Sequence, residues 1–303
     1  MSPVLPPSLQ VIERGWLSAN NILAFDGDQA TLIDSGYVSH AEQTVALLRQ
    51  ALDGRHLSRL FNTHTHSDHI GGNAAVQAAF GCEITVPAGS QARIAEWDEA
   101  ALLLSPLGQQ AARFSHDHTL QAGEQFSMGG LNWQALAAPG HDMEALIFHN
   151  PEKRLLISGD ALWENGFGVI FPELLGQADG LRHTHETLEA IGRLPVDLVI
   201  PGHGSPFIDI DAALQRAFRR LAQFANDSER LAWHAIKVAV AFALMERRRI
   251  ASVDFEAFIH GLPFVSDINS RWLGWPEEQL SERVRTELEK AGSLRREDDW
   301  LLA

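Results

Sequence analysis

Five times along this chain a short apolar run stops at a carboxylate or an imidazole with glycine nearby. Ala30-Thr31-Leu32-Ile33 leads into Asp34-Ser35-Gly36, and Leu60-Phe61-Asn62 leads into Thr63-His64-Thr65-His66-Ser67-Asp68-His69, with Gly71-Gly72 behind. Leu131–Leu136 leads into Ala138-Pro139-Gly140-His141, Arg154–Ile157 into Ser158-Gly159-Asp160, and Leu198–Ile200 into Pro201-Gly202-His203-Gly204. Such repetition narrows the fold to one that brings many strand ends to a single edge, where layered α/β proteins keep their ligand sites. Strand ends are stiff supports, and a tight glycine turn lets the neighbouring side chain point inward.

The segment His64–His69 holds three imidazoles and one carboxylate. Packing needs no such cluster, and gathering these groups costs desolvation unless something binds them. Neutral imidazole and carboxylate are ordinary ligands for zinc and similar divalent ions. His64 and His66, one residue apart, face the same side of an extended segment and can share an ion, while Asp68 and His69 reach a second. A pair of ions ~3.5–4 Å apart needs about six or seven donors, and His64, His66, Asp68, His69, His141, Asp160 and His203 supply them. Asp160 is the natural bridge, since its two oxygens can hold both cations. Such a donor set accepts zinc, iron or manganese, with zinc the first choice.

Around these loops the periodicity predicts a strand over Leu9–Leu17, a hairpin from Asn21–Phe25 and Ala30–Ile33, and a helix from His40 to Leu52. A second helix is expected over Ile70–Phe80, a strand around Cys82, and a second hairpin from Ala145–His149 and Arg154–Ile157. A helix is expected over Gly180–Leu194 and a strand over Asp197–Ile200. Ser90–His118 fits no strand pattern and reads as an insertion able to wall a pocket. His116-Asp117-His118 imitates a metal motif but lacks a preceding strand and neighbouring ligands, so it is set aside.

Of the 303 residues 45% are apolar and 21% charged, as in soluble globular proteins. Residues 1–208 carry 10 basic and 23 acidic side chains, net −13, and residues 209–303 carry 14 and 16, net −2. That balance disfavours a nucleic-acid partner, whose binding runs on Lys and Arg. The single cysteine, Cys82, excludes an intrachain disulfide and a cysteine-rich metal site. No secretory leader or membrane span is visible, and a cytoplasmic, soluble protein is the expectation.

Read in order, Asp34, His64-x-His66-x-Asp68-His69, His141, Asp160 and His203 strongly resemble the motifs of the metallo-β-lactamase-fold hydrolase superfamily over roughly residues 9–208. The resemblance implies an αββα sandwich of two mixed sheets with helices outside and two metals at one edge. It implies His64, His66 and His141 on one ion, Asp68, His69 and His203 on the other, Asp160 bridging, and Asp34 orienting the site without ligating. The full histidine set looks like the glyoxalase II and lactonase branches. It also implies metal-assisted hydrolysis of an ester, thioester, lactone or related small molecule by a bridging hydroxide, with Asp68 relaying the proton.

Residues 209–303 read as a separate, mostly helical domain. Leu214, Phe218, Leu221 and Phe224, then Leu231, Ala235, Val238, Phe242 and Met245, mark two helices, with Arg247-Arg248-Arg249 closing the second. Short helices near Asp254–His260 and Glu277–Ala291, and a hairpin from Ser293–Arg296 and Asp299–Leu302, look like a winged helix. Some superfamily members with a similar domain are endoribonucleases, which makes a metal-dependent nuclease the alternative function. The would-be recognition helix opposes it, with Glu277, Glu278, Glu282, Glu287 and Glu289 against Arg283, Arg285 and Lys290. A pocket wall or a homodimer contact suits the tail better, with Arg216, Arg219, Arg220 and Arg247–Arg249 on solvated or dimer faces. Trp163, Phe167, Phe171 and Pro172, with Trp97, Leu103 and Leu104, form either an apolar cleft or ordinary core. Tyr37 is a candidate oxyanion donor.

Overall fold

The computed structural model describes residues 4–177 and 179–303. Six strands form the first sheet in sequential order: β1 (Leu9–Ile12), β2 (Asn21–Asp26), β3 (Gln29–Ile33), β4 (His56–Phe61), β5 (Glu83–Pro87) and β6 (His118–Leu120). β1, β2 and β3 pair antiparallel, whereas β3 through β6 run parallel. The second sheet has the order β11-β10-β9-β8-β7, from β7 (Gln125–Met128), β8 (Leu131–Ala137), β9 (Leu146–Asn150), β10 (Leu155–Gly159) and β11 (Leu198–Pro201). Only its β10–β11 pair is parallel.

Alternation along the strands explains the layering. Ile22, Ala24, Ile33 and Phe61 face Phe148, Leu155, Ile157, Leu198 and Ile200 across the gap between the sheets. Leu23, Leu32 and Leu60, one residue out of phase, pack outward beneath the helices Ala41–Leu52 and Asn73–Phe80, and a register shift in β4 turns Leu57 to the same side. Ile147, Leu156 and Val199 pack outward on the other side, beneath the helix Gly180–Arg193. The chain is therefore an αββα sandwich, as expected, followed by a mostly helical segment.

Several elements differ from the sequence reading. β1 stops at Ile12, because Arg14 leaves the sheet. Its N–H donates to Asn20 Oδ1 (3.0 Å) and its guanidinium to Asn21 Oδ1 (2.6 Å) and Thr44 Oγ1 (2.8 Å). The helix expected over Ile70–Phe80 is two pieces, Ser67–Ile70 and Asn73–Phe80. Between them a Cβ on Gly72 would strike Ser35 O, so glycine permits the close crossing of the β3 loop. β7 was not anticipated; its alternation is short and its apolar residues few. Arg247–Arg249 do not all close a helix: that helix ends at Arg247, Arg248 turns with φ 68°, and Arg249 begins a strand.

After β11 the helices Ile210–Asn226 and Ser228–Arg247 run on into β12 (Arg249–Ala251), and then come the helices Phe255–His260, Pro263–Ile268 and Glu277–Lys290. The expected terminal hairpin, β13 (Arg295–Glu297) with β14 (Trp300–Leu302), gains β12 as a third antiparallel strand. Leu156, Val199, Leu221, Phe224, Ile236 and Leu288 belong to one continuous buried cluster, so these helices share a core with the second sheet. Among the described residues no helix is long and apolar enough to cross a membrane.

Candidate metal centre

All five polar strand ends converge on one edge of the sandwich. Asp34 follows β3 with φ 55°, and His64, His66, Asp68 and His69 follow β4 on a loop and the turn Ser67–Ile70. His141 follows β8, Asp160 follows β10 and His203 follows β11. Backbone bonds stitch these loops together. Leu146 N–H donates to Thr63 O (2.8 Å), Gly202 N–H to Gly159 O (2.8 Å) and Ala19 N–H to Asp68 O (3.0 Å).

Two groups of donors result. His64, His66 and His141 form one, and Asp68, His69, Asp160 and His203 the other, each with its donor atoms within 4.8 Å of one another. That spacing is near the reach of a single ion, since opposite donors with bonds of about 2.1 Å lie about 4 Å apart. The groups adjoin: Asp160 Oδ2 is 3.4 Å from His141 Nε2, and its Oδ1 is 3.4 Å from His69 Nε2. His66 Nδ1 and His141 Nε2 face each other at 2.7 Å, and His203 Nε2 is 2.9 Å from Asp68 Oδ2.

The outer ring nitrogens of His141 and His69 are tied to the scaffold, which aims the inner ones. His141 Nδ1–H donates to Val169 O (2.5 Å), and His69 Nδ1–H to Asp34 Oδ2 (2.8 Å). Asp34 also accepts from Thr63 Oγ1–H (2.7 Å) at Oδ2 and from Thr63 N–H (3.0 Å) at Oδ1. His64 Nε2 and His69 Nε2 are buried and lack any hydrogen-bond partner. An unpartnered buried polar atom costs about 1–3 kcal/mol, and two imidazole nitrogens aimed into one acid-bearing cluster fit divalent cations.

Electrostatics sort the groups. Burial, then His69 and His66 nearby, push the His64 imidazole well below its ordinary pKa, and burial with His141 brings His66 down to about 3. Both rings are therefore neutral, the form that ligates. Burial opposes charge on His69 as well, but Asp34, Asp160 and Asp68 outweigh it and hold its pKa well above normal. Burial likewise opposes ionised Asp160, yet His69 and His203 keep its carboxyl well below the usual range.

A cleft of about 420 Å³ opens on these donors. Trp163, Phe167 and Phe171 line it, as does the insertion through Leu107 and Gln109. Trp97, Leu103, Leu104 and Pro172 do not: Trp97 turns edge-on to Phe114 (5.8 Å), and Leu103 and Leu104 enter the two outer cores. Tyr37 is not an oxyanion donor of this cleft. It is fully buried against Phe242, and its hydroxyl accepts from Gln110 N–H (3.1 Å). His118 opens β6 and pairs at the surface with Glu83, while Asp117 accepts from Ile84 N–H, so His116–His118 join no donor group.

Other contributors escaped the sequence reading. Trp16 stacks on His203 (5.4 Å, 11°) and meets Trp163 edge-on (5.4 Å). The Trp163 indole N–H donates to Asp160 Oδ1 (3.2 Å). Arg93 pairs with buried Asp142, beside His141, at 2.7 Å. Arg220, His234, Val238 and Phe242, from the helices after residue 208, close one wall of the cleft. Arg220 is therefore no solvated face; its spacing from Ala217 and Phe224, three before and four after, is the signal that could have found it.

A family model described as the metallo-beta-lactamase superfamily matches residues 14–203. The chain is 30% identical over 214 residues to hydroxyacylglutathione hydrolase GloC of Haemophilus influenzae, covering 65% of this chain and 91% of that one. It is 32% identical over 144 residues to a hydroxyacylglutathione hydrolase of Methylococcus capsulatus, covering 47% of this chain and 48% of that relative. GloC apart, the chain spans about half the length of the curated relatives it matches. A metallo-beta-lactamase family protein from Thermus thermophilus superposes with a TM-score of 0.60 at 17% identity over 99% of both chains. A metallo-beta-lactamase from Legionella gormanii gives a TM-score of 0.60 at 14% identity, over 74% of this chain and 94% of that one. At such identities the likeness to solved structures is one of fold.

Proposed function

Because this chain belongs to the metallo-beta-lactamase superfamily, we propose that it is a metal-dependent hydrolase of a small ester, thioester or lactone. The observation that carries the reading is the pair of adjoining donor groups, with the Nε2 atoms of His64 and His69 buried and unpartnered among them. His64, His66 and His141 would hold one divalent ion, Asp68, His69 and His203 a second, and Asp160 both, with zinc the first choice and iron or manganese also suited. Two such ions, when bound, acidify a water and polarise a carbonyl.

The chain's own residues do the rest. Asp34 fixes the His69 ring by accepting its Nδ1–H, and Val169 O does the same for His141. Trp163 restrains one oxygen of Asp160. Asp68 Oδ2 is the proton-relay atom, hydrogen-bonded to His203 and open to the cleft. The aromatic walls exclude water around the scissile group.

Among substrates a thioester comes first, since hydroxyacylglutathione is one and relatives on two alignments carry that name. The mostly apolar cleft and the net acidic helix Glu277–Lys290 count against a nuclease. We assign residues 1–208 to the catalytic domain and 209–303 to a winged-helix-like domain that walls the cleft, in a cytoplasmic enzyme able to dimerise. Metal analysis joined to a panel of thioesters, lactones, β-lactams and phosphodiesters tests the reading. Two ions per chain and thioester or lactone turnover are expected, with loss of the first ion and of turnover in His66→Ala. Full metal content and turnover in that variant would sink the assignment.

A further inference from the structure

The cleft holds a second polar feature that none of the metal chemistry uses. The Arg220 guanidinium lies against the rings of Phe167 (6.0 Å) and Phe224 (5.9 Å). It is pressed onto Gly166, where a Cβ would collide with Nη1, and Nη1–H reaches Asn165 O at 3.4 Å. Burial holds its pKa below the ordinary arginine value, and among the described residues it forms no ion pair. A partly desolvated cation outside any ion pair is costly, and the cost is recovered when an anion arrives.

Beside it, His234 stacks on the same Phe224 (5.4 Å, 27°) and lines the same cleft. A neutral imidazole there offers one N–H to an incoming oxygen. The apolar wall joins this corner to the donors. Phe171 packs edge-on against His66 (5.3 Å), and Phe167, four residues earlier in the chain, lies against the guanidinium. In a chain of net charge −15, an arginine inside an aromatic cleft that forms no ion pair among the described residues is a selective feature.

We propose that Arg220, assisted by His234, is the anion-recognising end of the cleft. The substrate class is then an apolar ester or thioester whose carboxylate is separated from the scissile carbonyl by an apolar segment. This rests on the hydrolase reading for the scissile bond, but not for the binding. A planar guanidinium fork matches a carboxylate through two parallel N–H···O bonds, and aromatic flanks suit the carbon skeleton between the two polar ends.

The test uses the metal-loaded full chain and two matched arylalkyl thioesters, one ending in a carboxylate and one in the primary amide. The corresponding non-hydrolysable thioethers serve for binding by calorimetry. The carboxylate is expected to be preferred by about 10- to 100-fold, chiefly in KM and in thioether affinity, as for a buried charge-assisted bond. Arg220→Met, which keeps the apolar stem, should collapse that ratio, and Arg220→Lys should restore part of it. A wild-type preference for the amide, or a carboxylate preference untouched in both variants, overturns the assignment. Turnover of both thioesters without a preference leaves a hydrolase and removes the anion site. An Arg220-dependent preference in thioether binding, without turnover of either thioester, removes the hydrolase reading and leaves the anion site.

Discussion

Replacing Asp34 by asparagine isolates what one carboxylate does for the centre without changing its size. Asp34 Oδ2 accepts from His69 Nδ1–H at 2.8 Å and Thr63 Oγ1–H at 2.7 Å, and Oδ1 accepts from Thr63 N–H at 3.0 Å. Every one of these partners is a donor, so an amide NH2 placed on either side meets a donor. With the amide oxygen on the Thr63 N–H side, the NH2 faces His69 Nδ1 and forces that nitrogen to accept. The ring proton then moves to Nε2, the nitrogen that is buried and unpartnered among the donors, and its lone pair is lost to any cation. Loss of a partner that orients a ligand costs about 10–100-fold in metal affinity or activity, equivalent to about 1.4–2.7 kcal/mol. Chelator competition monitored by metal analysis gives the affinity, and turnover of a thioester gives the activity. An Asp34→Asn protein that is folded by circular dichroism yet keeps the wild-type chelator midpoint and turnover would refute this role of Asp34.

Two further outcomes follow from single contacts. In Gly202→Ala the new Cβ would collide with Asp160 Oδ1 and lie 3.0 Å from His69 Cε1. Metal content and turnover should both fall, with a stability loss of about 1–3 kcal/mol from overpacking, and wild-type metal content in the folded variant would contradict the geometry. His234 is pushed down to about 3 by burial, then by Arg220 and Lys237, so the unfolded chain binds a proton there that the folded chain refuses. That difference is absent above pH about 6.5 and costs stability as pH falls below it, reaching about 2 kcal/mol between pH 7 and 5. In denaturant melts His234→Phe should lose stability less steeply than wild type over that window, and parallel curves would refute it.

The residues of the two donor groups were legible because each sits where a local rule places it. His64, His66, Asp68 and His69 are contiguous, and His141, Asp160 and His203 each end an apolar strand beside a glycine, so topology alone gathers them. The sandwich was readable for the same reason, since period-two runs such as Leu155–Ile157 alternate between two cores. Trp16 was not readable, because its stacking on His203 depends on Arg14 leaving the first strand. β7, with its few apolar residues, lacked a strong pattern, and β12 was hidden among arginines that suit a helix end equally well. Tyr37 shows the opposite error, a side chain near the motifs in sequence that turns away into the core.

On the proposed reading, reactivity and selectivity occupy different parts of the chain. The donors come from loops after β3, β4, β8, β10 and β11, held by bonds that lie wholly before residue 208, such as Asp34 to His69 and Val169 to His141. Arg220, His234, Val238 and Phe242 come from two later helices that touch the cleft on one face and share the second sheet's core on the other. A residue on such a wall obeys the same helical spacing as a core residue, so periodicity cannot separate the two. Only an ionisable group at a core-facing position, as at 220 and 234, marks the boundary. Substitutions at those positions leave every bond that aims the donors intact, and a change of substrate could therefore arise in these helices without rebuilding the metal edge.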